Sequence, residues 1–340
     1  MIITTVTPEN PCELQAMRPQ ISVMTAPVPR GRYFFKEPLK QLAKKIRGVF
    51  IPRPAFLKSK YGGNFQRTRS TVEGLQKIGV NVNYNPIRKN EVGEVLYVPS
   101  CFDALRQAIQ MKRSGFIRRL LAGPNLVEFP TDSRELIAAA EIDVYIVPDH
   151  TSQYLYIQDC PELNGRCRTV PTGVDTDYWQ PAMARGERPN IVIYIKQFLE
   201  SVNPDEIISW LMGVGYRVEI LRYGSYTHGQ FLQALQQAKL MVGFTRSESQ
   251  GVAWSEAWSA DVPTLIVRNE IVTHRHKTYR CSTAPYLSDQ TGMFFNDLQD
   301  FKLVFKNWEM NQDKFNPRQW VLDNLSDEKC AEKLCKLAEI

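Results

Sequence analysis

The chain of 340 residues has 43% hydrophobic and 23% charged residues, the proportions of a soluble globular protein long enough for two domains with cores of their own. No run of eighteen apolar residues is present, so no spanning helix is expected, and the polar, proline-spotted first thirty residues lack a signal-peptide core. The net charge of +6 is uneven: residues 1–170 hold 24 Lys/Arg against 15 Asp/Glu and the remainder 18 against 21, so the first half should meet something anionic.

In chain order, residues 1–32 read as a loosely packed lead-in. Pro38 to Arg47 then reads as a short basic helix, with Phe35, Leu39, Leu42, Ile46 and Val49 at helical spacing. Its stripe either packs on the first domain or dips into a membrane surface while Lys40, Lys44, Lys45 and Arg47 meet lipid phosphates. Gly48 to Pro52 is the first expected strand. Tyr61-Gly-Gly-Asn64 leads into a helix that closes at Gly79, and Val80 to Tyr84 is the next strand. Strands follow at Glu94–Val98, Arg118–Pro124 and Asp143–Val147, with helices at Asp103–Lys112 and Ser133–Ala140. The strand ending at Val147 delivers Asp149 and His150 to a loop.

A second series begins at Asn190–Ile195, with a helix over Pro204–Gly213, a strand over Tyr216–Leu221 and a helix over His228–Ala238. Leu240 to Phe244 reads as a buried strand running out into Thr245-Arg-Ser-Glu-Ser-Gln-Gly251. A helix opens near Gly251 and ends at Asp261-Val-Pro263, since proline cannot continue it, and Pro263 to Val267 is another strand. Asn316 to Leu337 is helical. The seven cysteines are odd in number and form no CxxC pair; Cys160 and Cys167 flank a turn and are close enough in sequence to pair, although reduced thiols fit better. His274, Arg275, His276 and Lys277 form a basic cluster without metal-ligand spacing, read as a solvated turn.

The unit around Glu248 carries the chemistry. A strand–loop–helix–strand unit sets its loop at the carboxyl ends of parallel strands, where open α/β sheets bind ligands. Backbone N–H groups at Gln250, Gly251 and Val252 would face outward at the helix start, an anion site suited to a diphosphate, and Gly251 allows close approach. Glu248 in the loop and Glu256 two turns along the helix offer acceptors to hydroxyl-rich groups on either side. A diphosphate flanked by two polyols is a nucleotide-sugar.

Glu248-Ser-Gln-Gly-Val-Ala-Trp-Ser-Glu256 resembles the Glu-x7-Glu motif of retaining glycosyltransferases of the two-domain GT-B fold. Val170-Pro-Thr-Gly-Val-Asp-Thr-Asp-Tyr-Trp-Gln-Pro181 is similar to the P-x-G-V-D-x-x-x-F-x-P segment at that family's domain junction, and Thr291-Gly-Met-Phe294 resembles its T-G-x-L turn. The resemblance implies an α/β protein of two Rossmann-like domains facing a central cleft, with closing helices that cross back to the first. The expected division is an extension over 1–47, an acceptor-side domain over 48–170, a linker over 171–189, a donor-binding domain over 190–314 and closing helices over 315–340.

The resemblance also assigns roles. Glu248 positions the donor sugar and Glu256 the ribose, with Ser249, Gln250, Gly251 and Val252 around the diphosphate. Gly62 and Gly63 match the family's glycine-rich loop, or form a plain turn. Lys196 stands where the family pattern G-R-x-x-x-x-K-G would be, without its arginine or glycines; Arg222 or Arg246 are candidates for the second cation. His150 is either a structural residue or an acceptor-side base. No metal or other cofactor is expected, since no carboxylate pair is spaced for one and the nucleotide-sugar is a co-substrate. The reading is a cytoplasmic transferase, peripheral on the inner membrane face if its acceptor is lipid-linked. An anionic acceptor fits the basic first half, whether a lipid-linked or cell-envelope glycan or a modified base in phage DNA. A non-catalytic protein that binds sugar-nucleotides stays open, because the arginine is missing.

Overall fold

The computed structural model describes residues 19–29, 63–199, 202–274 and 276–340. The expected basic helix at Pro38–Arg47, the strand at Gly48–Pro52, Gly62 and Arg275 lie outside them.

Apolar runs without alternation belong to strands covered on both faces, and such runs build parallel sheets. The first sheet has six parallel strands in the order β2-β1-β3-β4-β5-β6: β1 Ile21–Val23, β2 Val82–Tyr84, β3 Val95–Ser100, β4 Arg119–Asn125, β5 Val144–Val147 and β6 Cys167–Thr169. Helix α1 (Gly63–Lys77) covers one face, and α2 (Phe102–Arg113) covers the other. A second parallel sheet has five strands in the order β13-β10-β9-β7-β8, formed by β7 Asn190–Ile195, β8 Arg217–Arg222, β9 Ala238–Phe244, β10 Thr264–Val267 and β13 Gly292–Phe295. Between β10 and β13 stands an antiparallel hairpin, β11 Ile271–His274 and β12 Lys277–Arg280.

Several expectations are corrected. Ile21–Val23 is no lead-in but a fully buried inner strand, bonded to Val82–Tyr84 on one side and Val95–Tyr97 on the other. Asp149 and His150 do not sit in a loop: Asp149 caps, and His150 begins, helix α4 (His150–Asp159). The helix expected over 133–140 shrinks to α3, Arg134–Ile137. Cys160 and Cys167, by contrast, are both buried free thiols, the reduced state that fitted the sequence better. Of the 274–277 cluster, His274 and Lys277 pair in the hairpin, and Lys277 also pairs with Asp159 of the first domain instead of being wholly solvated. Among the described residues no helix is long and apolar enough to cross a membrane.

In the second domain, helices α5 (Pro204–Gly213), α6 (His228–Gln236), α7 (Val252–Ser259) and α8 (Leu298–Met310) flank the sheet. The chain then returns through α9 (Pro317–Asn324) to α10 (Asp327–Ala338), which lies along α1 and puts Ala331, Leu334, Cys335 and Ala338 into the first domain's core. Close approach is required there: a Cβ on Gly74 would come within 2.4 Å of the Asp327 carbonyl oxygen, and one on Gly173 within 2.6 Å of the Asp327 Cα. The fully buried Asp327 carboxylate accepts two bonds from Arg69, at 2.6 and 3.0 Å, tying the last helix to the first one described. Two α/β sheets with facing carboxyl ends and a terminal helix crossing back make a GT-B fold.

Removing Asp327 leaves the largely covered Arg69 guanidinium with only the exposed Glu73 carboxylate, at 2.8 Å, as an ionic partner among the described residues. Asp327→Ala should therefore lower unfolding stability by about 3–5 kcal/mol. Urea titration of the variant beside the wild type measures this, and a change below about 1 kcal/mol would rule out the Arg69–Asp327 tie as a main link between the helices.

Candidate active site at the interdomain cleft

The carboxyl ends of both sheets open onto a cleft of about 540 Å³. The first domain contributes Asn125 at the end of β4, Asp149 beyond β5, and Thr151 and Ser152 in the first turn of α4; the second contributes Ser247, Glu248, Ser249 and, from the end of the hairpin, Arg280 to Ser282.

Lys196 directly follows β7, and its N–H donates to the Phe244 carbonyl at 2.9 Å, which fixes it beside the end of β9. Its ammonium donates to both oxygens of Glu248, at 2.8 and 2.9 Å. Glu248 is held further by the buried Thr245 hydroxyl, which donates at 3.1 Å, and by its own N–H on the Ser282 carbonyl at 2.8 Å. The two expected site residues thus meet across 52 positions of sequence as one ion pair, which the sequence alone does not show. Exposed aromatics flank them: the Lys196 ammonium lies 5.3 Å from the Tyr223 ring centre and the Arg222 guanidinium 6.0 Å from that of Phe198.

Gly251 opens α7 with φ +77°, a left-handed conformation that favours glycine, and a Cβ there would sit 2.1 Å from the Trp254 ring. The N–H groups of Gly251 and Val252 bond no group among the described residues, so the helix start presents free donors. The Gln250 side chain does something else. Its amide accepts from the Thr172 N–H at 2.6 Å and donates to the Thr172 carbonyl at 2.7 Å, clamping the segment between the domains.

Glu256 is neither in the open cleft nor on a solvated face. It is 5% exposed, no described side chain hydrogen-bonds its carboxyl, and burial pushes the group up to about 8, against the partial opposition of the Arg69 guanidinium. His150 is exposed, lies 3.3 Å from the Gln153 side chain through Nδ1, and lines a neighbouring cavity of about 690 Å³ with Arg268, Glu270 and Arg280 instead of the main cleft. Gly63 is the first residue of α1. Asn125, Asp149 and the hairpin residues were not anticipated as site residues. The alternating Ile271-Val-Thr and Lys277-Thr-Tyr-Arg280 segments around a short turn were the available signal for the hairpin.

No family model and no curated protein sequence matches the chain. Among solved structures, it is similar to accessory secretory protein 1, 2 and 3 of Streptococcus pneumoniae, at 12% identity and TM-score 0.52, covering 81% of this chain and 56% of that one. It also matches a sucrose-phosphate synthase from Thermosynechococcus elongatus at 12% identity and TM-score 0.48, over 95% and 98% of the two chains. AviGT4, a glycosyltransferase involved in avilamycin A biosynthesis, matches at 10% identity and TM-score 0.49, over 94% and 97%. Likeness at such identities is likeness of fold.

The Glu256 carboxyl provides a test of the site's electrostatics. Its folded value near 8 stands above the ordinary 4.5, so between these limits the folded protein keeps a proton that the unfolded chain has released. The contribution of Glu256 to stability is therefore fullest below about pH 4.5, falls as pH rises through the window at up to about 1.4 kcal/mol per unit, and levels off above 8. Glu256→Gln should remove this part of the slope. Urea unfolding at pH 5, 6, 7 and 8 is the measurement, and identical slopes in both proteins would show that Glu256 is ionised in the fold.

Proposed function

We propose that the protein transfers a sugar from a nucleotide-sugar to an acceptor in the interdomain cleft. The observation that carries this reading is the Lys196–Glu248 pair at the carboxyl edge of the second sheet, beside the free N–H groups that open α7. A departing nucleoside diphosphate develops negative charge, and a fixed cation and helix-start donors stabilise it without reorganisation. Glu248 accepts from hydroxyls of the donor sugar. Because it is already bound to Lys196, the incoming donor divides the pair, its phosphate drawing the ammonium while its sugar engages the carboxylate.

Glu256 holds the ribose in this reading, and its burial adds a consequence. A diol that donates to the carboxyl favours its ionised form, so nucleotide binding near neutral pH releases a proton. Transfer proceeds with retention, as the Glu-x7-Glu resemblance implies. The acceptor enters from the first domain's side, past Asn125 and Asp149. Arg280 on the cleft wall and Arg246 on the loop before Glu248 are exposed and ion-pair with no carboxylate among the described residues, which favours an anionic acceptor such as a lipid-linked or cell-envelope glycan. A non-catalytic nucleotide-binding protein is separated from this reading by donor hydrolysis.

Glu248→Gln keeps the size of the side chain but removes its charge. Turnover of nucleotide-sugar, read as donor hydrolysis across a panel of bases and sugars, should fall about 100- to 1,000-fold, the scale for losing one transition-state contact. Affinity for the free nucleoside diphosphate should change by less than about threefold, since Glu248 faces the sugar. Equal losses in both would contradict its role, and a wild type without donor hydrolysis would leave only the binding function.

A further inference from the structure

Among the described residues, one cation lacks the partners that its burial demands. Arg67, on the second turn of α1, is 2% exposed. Its Nη1 donates to the Pro171 carbonyl at 3.1 Å, but no protein group accepts from its buried Nε and Nη2. No carboxylate among the described residues pairs with it. The buried Arg188 and the largely covered Arg69 are treated differently. Arg188, 1% exposed, spends its guanidinium on the carbonyls of Met183, Ala238, Ala260 and Asp261, and Arg69 is matched by Asp327. A guanidinium taken out of water without partners costs several kcal/mol.

The two open atoms form one edge of the guanidinium, the side-on fork that matches two oxygens of a phosphate. Its location is set by the segment it grips. Pro171 is bonded to Arg67, the next residue Thr172 is bonded twice to Gln250, and Gln250 precedes the free N–H groups of Gly251 and Val252. Gly173 in turn donates to Ser70 of α1 at 2.6 Å. Arg67 and the start of α7 therefore hold adjacent residues of one linker, from opposite domains.

We propose that Arg67 is the second cation of the donor-phosphate site, delivered from the first domain to the start of α7. The proposal rests on the donor reading given above. It answers a shortage of charge, because Lys196 is already engaged by Glu248. The anion enters along the seam between the domains and, once bound to the fork, draws α1 and α7 together about the linker.

The test compares wild type, Arg67→Met and Arg67→Lys in binding a nucleoside diphosphate and the unphosphorylated nucleoside of the same base, with thermal unfolding of the free proteins alongside. Arg67→Met should bind the diphosphate about 10- to 100-fold more weakly, the scale of charge-assisted hydrogen bonds, and the nucleoside as wild type does. Its ligand-free Tm should equal or exceed that of wild type, because a buried charge without partners has been removed. Arg67→Lys keeps the charge but not the fork, and should fall between the two; it carries the test alone if the Met variant does not fold. Unchanged diphosphate affinity in either variant overturns the proposal, as do equal losses for both ligands with a lowered Tm, which mark a structural residue. A wild type that binds neither ligand overturns the donor reading itself.

Discussion

Three residues of the linker, Pro171 to Gly173, are held from both sides, and the geometry of the cleft depends on that grip. Buried backbone groups must be paired. Here the pairing is done by side chains: Ser70 takes the Gly173 N–H, Arg67 takes the Pro171 carbonyl, and the Gln250 amide takes both polar groups of Thr172. The first two partners belong to the first domain and the third to the loop that opens α7. One short segment thereby fixes the start of α7 relative to α1, which is why Gln250 serves as a clamp within a motif that otherwise faces a ligand.

The same economy governs the charges. Lys196 and Glu248 satisfy each other, and Glu256, surrounded by Tyr178, Tyr194 and Tyr226 within electrostatic reach, holds its proton. Lys196, Glu248 and Glu256 are thus kept neutral as a pair or by protonation, whereas Arg67 keeps its charge without a carboxylate partner among the described residues. Pairing and protonation limit the cost of desolvating the first three and leave them poised to exchange partners.

The fold was readable where the pattern was strong. The second domain's elements from Asn190 to Val267 follow from the apolar runs of β7, β9 and β10 and the helices between the strands, and Pro263 marks the end of α7 as expected. Ile21–Val23 was missed because three residues among prolines and polar neighbours give no periodicity to detect, while long-range pairing with Val82 and Val95 decides their state. Helix α4 was missed because His150-Thr-Ser-Gln-Tyr-Leu-Tyr-Ile-Gln-Asp159 has no apolar stripe; only its Asp149 cap announces it. Of the site, Glu248 and Lys196 were legible as separate residues. Their pairing and the burial of Glu256 arise from contacts between distant segments, and no local pattern encodes those.

The returning helix also orders events in time. The first domain's strands leave the ribosome early, but the face covered by α1 still lacks Ala331, Leu334, Cys335 and Ala338, and Arg69 still lacks Asp327. Those residues follow the second domain in the chain and are synthesised after it. A nascent first domain therefore waits half-clad, with Leu75, Val95, Tyr97 and Leu121 short of their final cover, until the second domain has formed. Maturation of the two halves is coupled: the half made first is the half finished last.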